Sequence, residues 1–356
     1  MFMTGSGIRL QDYSLSAEQE WLRETFQKFF EKECPTAVVR SAEPLGFDAD
    51  LWQKLLNMGI ASAGLAPSVG GDGATLVELS IIAEEVGRSI APVPFISHIV
   101  ATRLLAATKA PDDVLNQAIH GHEVVTLAVQ PSRPGRPQLV PDAAIATGAV
   151  ALVDNELALF RAGLPAAHME NHGRTPLGLW RPGDGADCLS LVRGDAANMA
   201  HQHAVIEWKV LMAAALVGLT EASLRLAADF AKTRYTMGVP IGSLQGVAFP
   251  LADVAIGVAG ARNLTRRAAW TAEFEPENSL EIALMAFSHA ARLATWGTTT
   301  AAHMQGGLGF TAEADASLFF LRSKGWSSLG GDPMRDFVTI GESLIASKNA
   351  ATAEPR

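Results

Sequence analysis

Between residues 124 and 199 the chain carries short apolar runs (VVTLAV, AVALV, LALF and LSLV) separated by proline and glycine clusters such as PSRPGRP and WRPGDGAD. Runs this short, bounded by turn formers, are strand signals, and prolines so spaced bar any long helix. On either side the apolar residues return at helical spacing. The interruption therefore sets an architecture: an N-terminal helical domain, a small middle β-domain and a C-terminal helical bundle, α+β overall and mainly α. The boundaries read as 1–122, 123–203 and 204–356.

In the first block Ser16 and Gln19 predict a capping box, after which Leu22, Phe26, Phe29 and Phe30 recur at helical spacing. Trp52, Leu55, Leu56 and Met58 mark a further helix that Gly59 ends. The loop APSVGGDGAT follows, and a helix from about Leu76 to Gly87 carries the acidic pair Glu84 and Glu85 before APVPF breaks it. In the last block, VLMAAALVGLTEASLRLAADFAKTR is rich in small residues that let helices approach closely.

A formal charge of −9 without a basic block offers no footprint for nucleic acid. No apolar run approaches the ~20 residues that span a bilayer, so no membrane span is expected. The start, MFMTGSGIRLQDYS, lacks the apolar core of a secretion signal. Cys34 and Cys188 form neither a zinc pattern nor a disulfide framework, which fits a reducing cytoplasm. A mean hydropathy of +0.17 is high for a monomer and points to buried interfaces between subunits. No metal site is expected: His168 and His172 lack supporting ligands, and His201 with His203 lacks a third. There is no phosphate-binding P-loop, and no serine or cysteine sits in a nucleophile elbow.

Three motifs run in order along nearly the whole chain. LWQKLLNMGI is followed by APSVGGDG and AEEVGR, from Leu51 to Arg88. RYTMGVPIGSLQ spans Arg234 to Gln245, with LAD at Leu251 to Asp253, and HMQGGLGFTAE spans His303 to Glu313. With the three-part domain order, they resemble the acyl-CoA dehydrogenase family of flavoproteins. The resemblance implies FAD-dependent α,β-desaturation of an acyl-CoA thioester. A carboxylate takes the α-proton, and the flavin takes the β-hydrogen as hydride. It also implies FAD lying across a subunit interface, its ring system in one subunit's β-domain and its pyrophosphate and adenine end on the neighbour's bundle.

By position, Arg234 stands where the family places an arginine on the pyrophosphate, a task suited to a fork of donors with permanent charge. Read alone, it is a helix-end arginine facing the helix dipole. Gly306 and Gly307 match paired glycines whose bare backbone approaches the cofactor, or else they form a tight helix–helix turn. Thr236, Gln245 and His303 complete the implied cofactor-binding set. His303 replaces a usual glutamine, Thr236 often a glutamine, and Met237 a phenylalanine.

The other half of the implied site is poorer. LAVQPSRPGRP, Leu127 to Pro137, stands where the family carries a threonine-glutamate-proline run and a glycine-serine-aspartate turn. The tryptophan-centred strand that flanks the flavin has no counterpart, so this β-domain is expected to fold without holding a flavin ring. The two positions at which the family carries its catalytic carboxylate fall on Gly330 and Trp208. Glu207 is the adjacent candidate, turned by about 100° on a helix, and reads otherwise as a solvated or salt-bridged residue at a helix start. Lys209, where the family often has an arginine, reads as a solvated helix lysine.

The resemblance thus implies a subunit without a catalytic base. It would lend the pyrophosphate half of a flavin site to a homologous catalytic partner in a heterotetramer, as in bacterial complexes that act on steroid side-chain CoA esters. Two alternatives stand beside it. One is a self-sufficient homotetramer using Glu207 or another carboxylate; the other is a non-enzymatic acyl-CoA-binding or scaffolding protein.

Overall fold

The computed structural model describes residues 13–183 and 188–353; the N-terminal stretch read for a secretion signal and part of the WRPGDGAD turn lie outside them. The N-terminal helices are α1 (Ala17–Glu33), α2 (Thr36–Ser41), α3 (Ala49–Asn57), α4 (Leu76–Arg88), α5 (Phe95–Ala107) and α6 (Asp112–Ile119). Ser16 and Gln19 do form a capping box, with reciprocal hydrogen bonds of 3.0 and 3.2 Å. A second box, Thr75 with Glu78, starts α4. Phe26, Phe30, Trp52 and Leu55 are buried in one core with α4 and α5.

The strands are β1 (Val125–Leu127), β2 (Gln138–Val140), β3 (Gly148–Val153), β4 (Glu156–Phe160), β5 (Ala167–His168), β6 (Gly178–Trp180) and β7 (Cys188–Arg193). They form a four-stranded sheet in the order β1-β3-β4-β7 and a three-stranded sheet in the order β2-β6-β5. β1 and β3 run parallel, and the other pairs are antiparallel. Alternation along β3 explains its unbroken apolar sequence. Ala149 and Ala151 face a small core with Val140, Phe160 and Trp180, whereas Val150 and Leu152 join the helical core.

The bundle comprises α7 (Asp195–Thr233), a hairpin of β8 (Tyr235–Thr236) and β9 (Val239–Pro240), α8 (Gln245–Phe274), α9 (Ser279–Met304), α10 (Asp315–Trp326) and α11 (Pro333–Ala353). α7, about 58 Å long at 1.5 Å per residue, is the spine on which α4, α5, α8, α9 and α10 pack. It begins at Asp195, ahead of the boundary expected at residue 204. Its first two turns, DAANMAH, bury only Ala197 and His201, and so carry little helical periodicity. α4 crosses α7 so closely that a Cβ on Gly87 would lie 1.9 Å from the Ala215 carbonyl, and one on Gly218 1.9 Å from that of Glu84. The acidic pair Glu84 and Glu85 is bound there by Arg88, and Arg262 also binds Glu84.

The absence of a membrane-spanning length, expected from the apolar runs, does not hold. α7 and α8 are each long and apolar enough to cross a membrane, because scattered polar residues break the apolar runs without lowering the average. Of the most apolar 18 residues, 72% are buried in α7 and only 22% in α8.

Candidate functional site

The two halves of the anticipated site lie at different places in the chain. The first is a cleft of about 630 Å³ between the β-domain turn Val129–Pro131, one face of α7, the start of α9, the loop Gly330–Asp332 and the first turn of α11. Gln130 ties the two walls together, its Nε2 donating to the Gly330 carbonyl at 2.8 Å. His201 on α7 binds the Ala128 carbonyl at 2.9 Å through Nε2, and burial pushes its pKa down.

Gly330 and Trp208, the two positions at which a base was sought, prove to be neighbours. A Cβ on Gly330 would lie 2.5 Å from Trp208 Cζ3 and 3.2 Å from Cη2. The indole therefore fills the space into which a side chain at 330 would project. Trp208 is fully buried and tilted against Phe287, with ring centroids 6.0 Å apart. Neither position offers a proton acceptor.

Glu207 is not a helix-start residue, because α7 has run for three turns before it. Its side chain is buried and points to α5. It accepts hydrogen bonds from Arg103 Nε at 3.0 and 3.2 Å and from Nη2 at 2.9 Å. Arg103 also donates to the Gly64 carbonyl at 2.6 Å and pairs with Glu273 at 3.3 Å. Glu207 is absent from the residues lining the 630 Å³ cleft and lines another one beside the loop Gly64–Val69, with His203 Nδ1 at 3.6 Å. Lys209, expected in solvent, is buried, pairs with Asp336 and lies 4.7 Å from the Phe287 ring centroid. Sequence reasoning missed Arg103, Gln130 and Asp336; only Asp336, six residues after Gly330 in GGDPMRD, carried a local signal.

The second half lies at the far end of the bundle. A small core of Ala227, Ala231, Leu251 and Ala301, flanked by Ile241, Val247 and Met304, seats the end of α7, the hairpin, the start of α8 and the end of α9 on one another. Around it stand the other predicted residues: Arg234 at the C-cap of α7, Thr236 in β8, Gln245 opening α8, His303 in the last turn of α9, and Gly306 with Gly307 just beyond. All six are exposed. No described carboxylate forms an ion pair with Arg234. A Cβ on Gly306 or Gly307 would meet nothing within 4 Å; Gly306 needs its freedom for φ +62°, but the chain's own packing gives Gly307 no such reason. Met237 at the hairpin turn is 93% exposed at φ +49°, an apolar side chain in a left-handed conformation. The Arg234 guanidinium, the Thr236 hydroxyl, the Gln245 amide and the backbone of Gly306 and Gly307 are exposed groups of the kind that can donate to an anion.

The remaining candidates do not assemble. Among the described residues no group of three or more His, Cys, Asp or Glu side chains is placed to hold a metal ion. Trp180 is buried against Phe160 with its Nε1 on the Ala162 carbonyl, and it is absent from the residues lining the 630 Å³ cleft.

Comparison with known proteins completes the description. Two family models match: "Acyl-CoA dehydrogenase, N-terminal domain" over residues 16–110 and "Acyl-CoA dehydrogenase, C-terminal domain" over residues 203–343. The chain is 28% identical to acyl-CoA dehydrogenase IpdE2 of Mycobacterium tuberculosis over 89% of its length and 94% of the relative's. It is 29% identical to acyl-CoA dehydrogenase FadE27 of the same organism over 78% of its length and 83% of the relative's. Among solved structures, the Mycobacterium tuberculosis ChsE4-ChsE5 complex superposes with a TM-score of 0.80 at 23% identity, covering 97% of this chain and 100% of that one. The Tcur3481-Tcur3483 steroid ACAD variant superposes with a TM-score of 0.80 at 24% identity, covering 94% and 99%.

Proposed function

This chain belongs to the acyl-CoA dehydrogenase family, and from that premise we propose that it is the flavin-supporting subunit of a heteromeric acyl-CoA dehydrogenase. It would present Arg234, Thr236, Gln245, His303, Gly306 and Gly307 to the pyrophosphate and adenine end of an FAD whose ring lies in a catalytic partner. When bound there, FAD supplies the hydride acceptor for desaturation of an acyl-CoA. The chain's own part is to hold and orient the cofactor: Arg234 by charge-assisted hydrogen bonds, the glycines by close backbone approach.

The observation that carries this reading is the indole of Trp208 filling the space beside Gly330, while the bundle end keeps a charged, unpaired and open surface. Two similar structures are described as paired proteins, ChsE4-ChsE5 and Tcur3481-Tcur3483, and the latter as a steroid enzyme. Those descriptions support a heteromeric assembly and a steroid-derived acyl-CoA as the substrate class. The test is to purify the chain alone and together with the homologous product of a neighbouring gene, and to read flavin absorbance. The reading requires a colourless chain and a yellow complex.

A second reading draws on Asp332 and Asp336, which line the 630 Å³ cleft and offer a self-sufficient enzyme a carboxylate. Lys209 already binds Asp336, however. Yellow, active protein from this chain alone would favour that reading.

A further inference from the structure

A chamber of about 50 Å³ lies where the three parts of the chain meet, between the end of α4, the start of α5, the loops after β2 and β5, α7 and α10. It shares no lining residue with the 630 Å³ cleft, and none of the six bundle-end residues lines it. Three of the seven non-glycine residues with positive φ among the described residues do: Ile90 at +43°, Asp142 at +57° and Arg174 at +47°. Ile90 stands just past the C-cap of α4, where the Ala91 N–H returns to the Val86 carbonyl at 3.0 Å, in a turn that ordinarily takes glycine. A β-branched residue is strained there, and backbone strain gathers at binding sites. In place of glycine the chain keeps a buried isoleucine that walls the chamber.

The charged groups of the chamber are incompletely matched. Arg322, buried, donates from Nη2 to Glu43 at 3.0 Å. Arg174 donates from Nη1 to Glu170 at 3.0 Å, but its Nε, also buried, stands 3.5 Å from Glu43 and completes no hydrogen bond. Both arginines line the chamber, whereas Glu43 and Glu170 do not. The remaining charged lining residue is Asp142, whose carboxyl is held by Ser97. No described basic side chain pairs with it, and burial pushes it up to about 6. Val86, Ile96 and Met212 supply apolar wall. Cations whose carboxylates lie outside the chamber, and a carboxyl without a cation, complement a ligand that carries both charges. We propose that this chamber binds a small zwitterion of the size of β-alanine, its carboxylate on Arg174 and Arg322 and its ammonium on Asp142. The volume holds a few water molecules or one molecule of about six non-hydrogen atoms, and is far too small for an acyl-CoA. Arg174 and Thr175 are partly exposed, so the site is reached from solvent on that side. The half-site reading is not used in this assignment.

The test is calorimetric titration of β-alanine into the full-length chain at about pH 7.5, where Asp142 is ionised. Propionate, which lacks the ammonium, and propylamine, which lacks the carboxylate, are titrated beside it. β-Alanine is expected to bind at least about tenfold more tightly than either, because each gives up one charge-assisted contact. Propionate or propylamine binding as tightly as β-alanine overturns the two-ended site, and binding of none of the three overturns the site altogether. Arg174→Asn and Asp142→Asn then assign the ends, since asparagine tolerates the positive φ at both positions. Arg174→Asn should reduce the advantage of β-alanine over propylamine, and Asp142→Asn its advantage over propionate. The reverse pattern, or unchanged binding in both variants, refutes the assignment. Should Arg174→Asn fail to fold, the comparison of three ligands on native protein still decides. β-Alanine should also raise the urea midpoint of the native chain and leave that of Asp142→Asn nearly unmoved; equal shifts in both would show that it acts elsewhere.

Discussion

Glu207 separates a structural carboxylate from a catalytic one, and its surroundings set the size of the effect. Glu207→Gln keeps the shape and one acceptor oxygen but removes the charge from a group that takes three close hydrogen-bond contacts from Arg103. Both side chains are largely withdrawn from water, at 6% and 18% exposure. Breaking a buried pair by removing one partner costs ~3–5 kcal/mol. Arg103 is not abandoned, however, because Glu273 and the Gly64 carbonyl still hold it. The glutamine variant should therefore lose about 2 kcal/mol, close to the value of a single hydrogen bond to a charged group. Alanine, which gives up all three contacts, should lose ~3–5 kcal/mol. Urea unfolding reads both losses as a lower midpoint at constant slope. In an Arg103→Leu background Glu207→Gln should cost much less, since the pair is already broken. The catalytic readout is stopped-flow bleaching of flavin by an acyl-CoA in the assembled complex. A positioned base contributes ~10²–10⁴-fold, so a residue that is not the base should change the rate less than about threefold. Abolished bleaching with flavin content and assembly intact would refute the reasoning and place the base in this chain.

Other perturbations address single links. Arg234→Ala should assemble normally but lose roughly tenfold or more in flavin affinity on dilution, and Arg234→Lys should recover only part, because it keeps the charge without the fork. Gly307→Ala meets no atom of its own chain, so its unfolding midpoint should match the native one while the complex purifies with less FAD. Burial pushes the Asp142 carboxyl up to about 6 from its ordinary 3.8, against an opposing hydrogen bond from Ser97. The folded state thus holds this proton more tightly than the unfolded chain. Its contribution is full below about pH 3.8 and is lost as pH rises through about 6. Asp142→Asn, at a φ of +57° that asparagine tolerates, should flatten that part of a plot of urea midpoint against pH.

Local chemistry was legible in the sequence, and pairings between distant residues were not. The Ser16–Gln19 box, the stop near Gly59 and the strand-rich middle rest on neighbours a few positions apart. Motif spacing likewise led to both Gly330 and Trp208 and showed that neither carries a carboxylate. Their contact was invisible, because no periodicity links α7 to the loop after α10. Lys209 was read as solvated for the same reason: its partner Asp336 lies 127 positions away. Glu207 was placed near a helix start because the first turns of α7, which bury only Ala197 and His201, hide its beginning at Asp195. At the bundle end the motifs named the residues, but the cluster of alanines that gathers them needed the packing of α7, α8 and α9.

The central claim is that one half of a flavin site survives in this chain and the other half does not. The measurement that meets it most directly is flavin stoichiometry in the purified complex, from absorbance of released FAD against protein mass. If only mixed interfaces hold the cofactor, a heterotetramer with two copies of each chain carries two flavins, and this chain alone carries none. Four flavins per heterotetramer, or stable yellow protein from this chain by itself, would contradict the account.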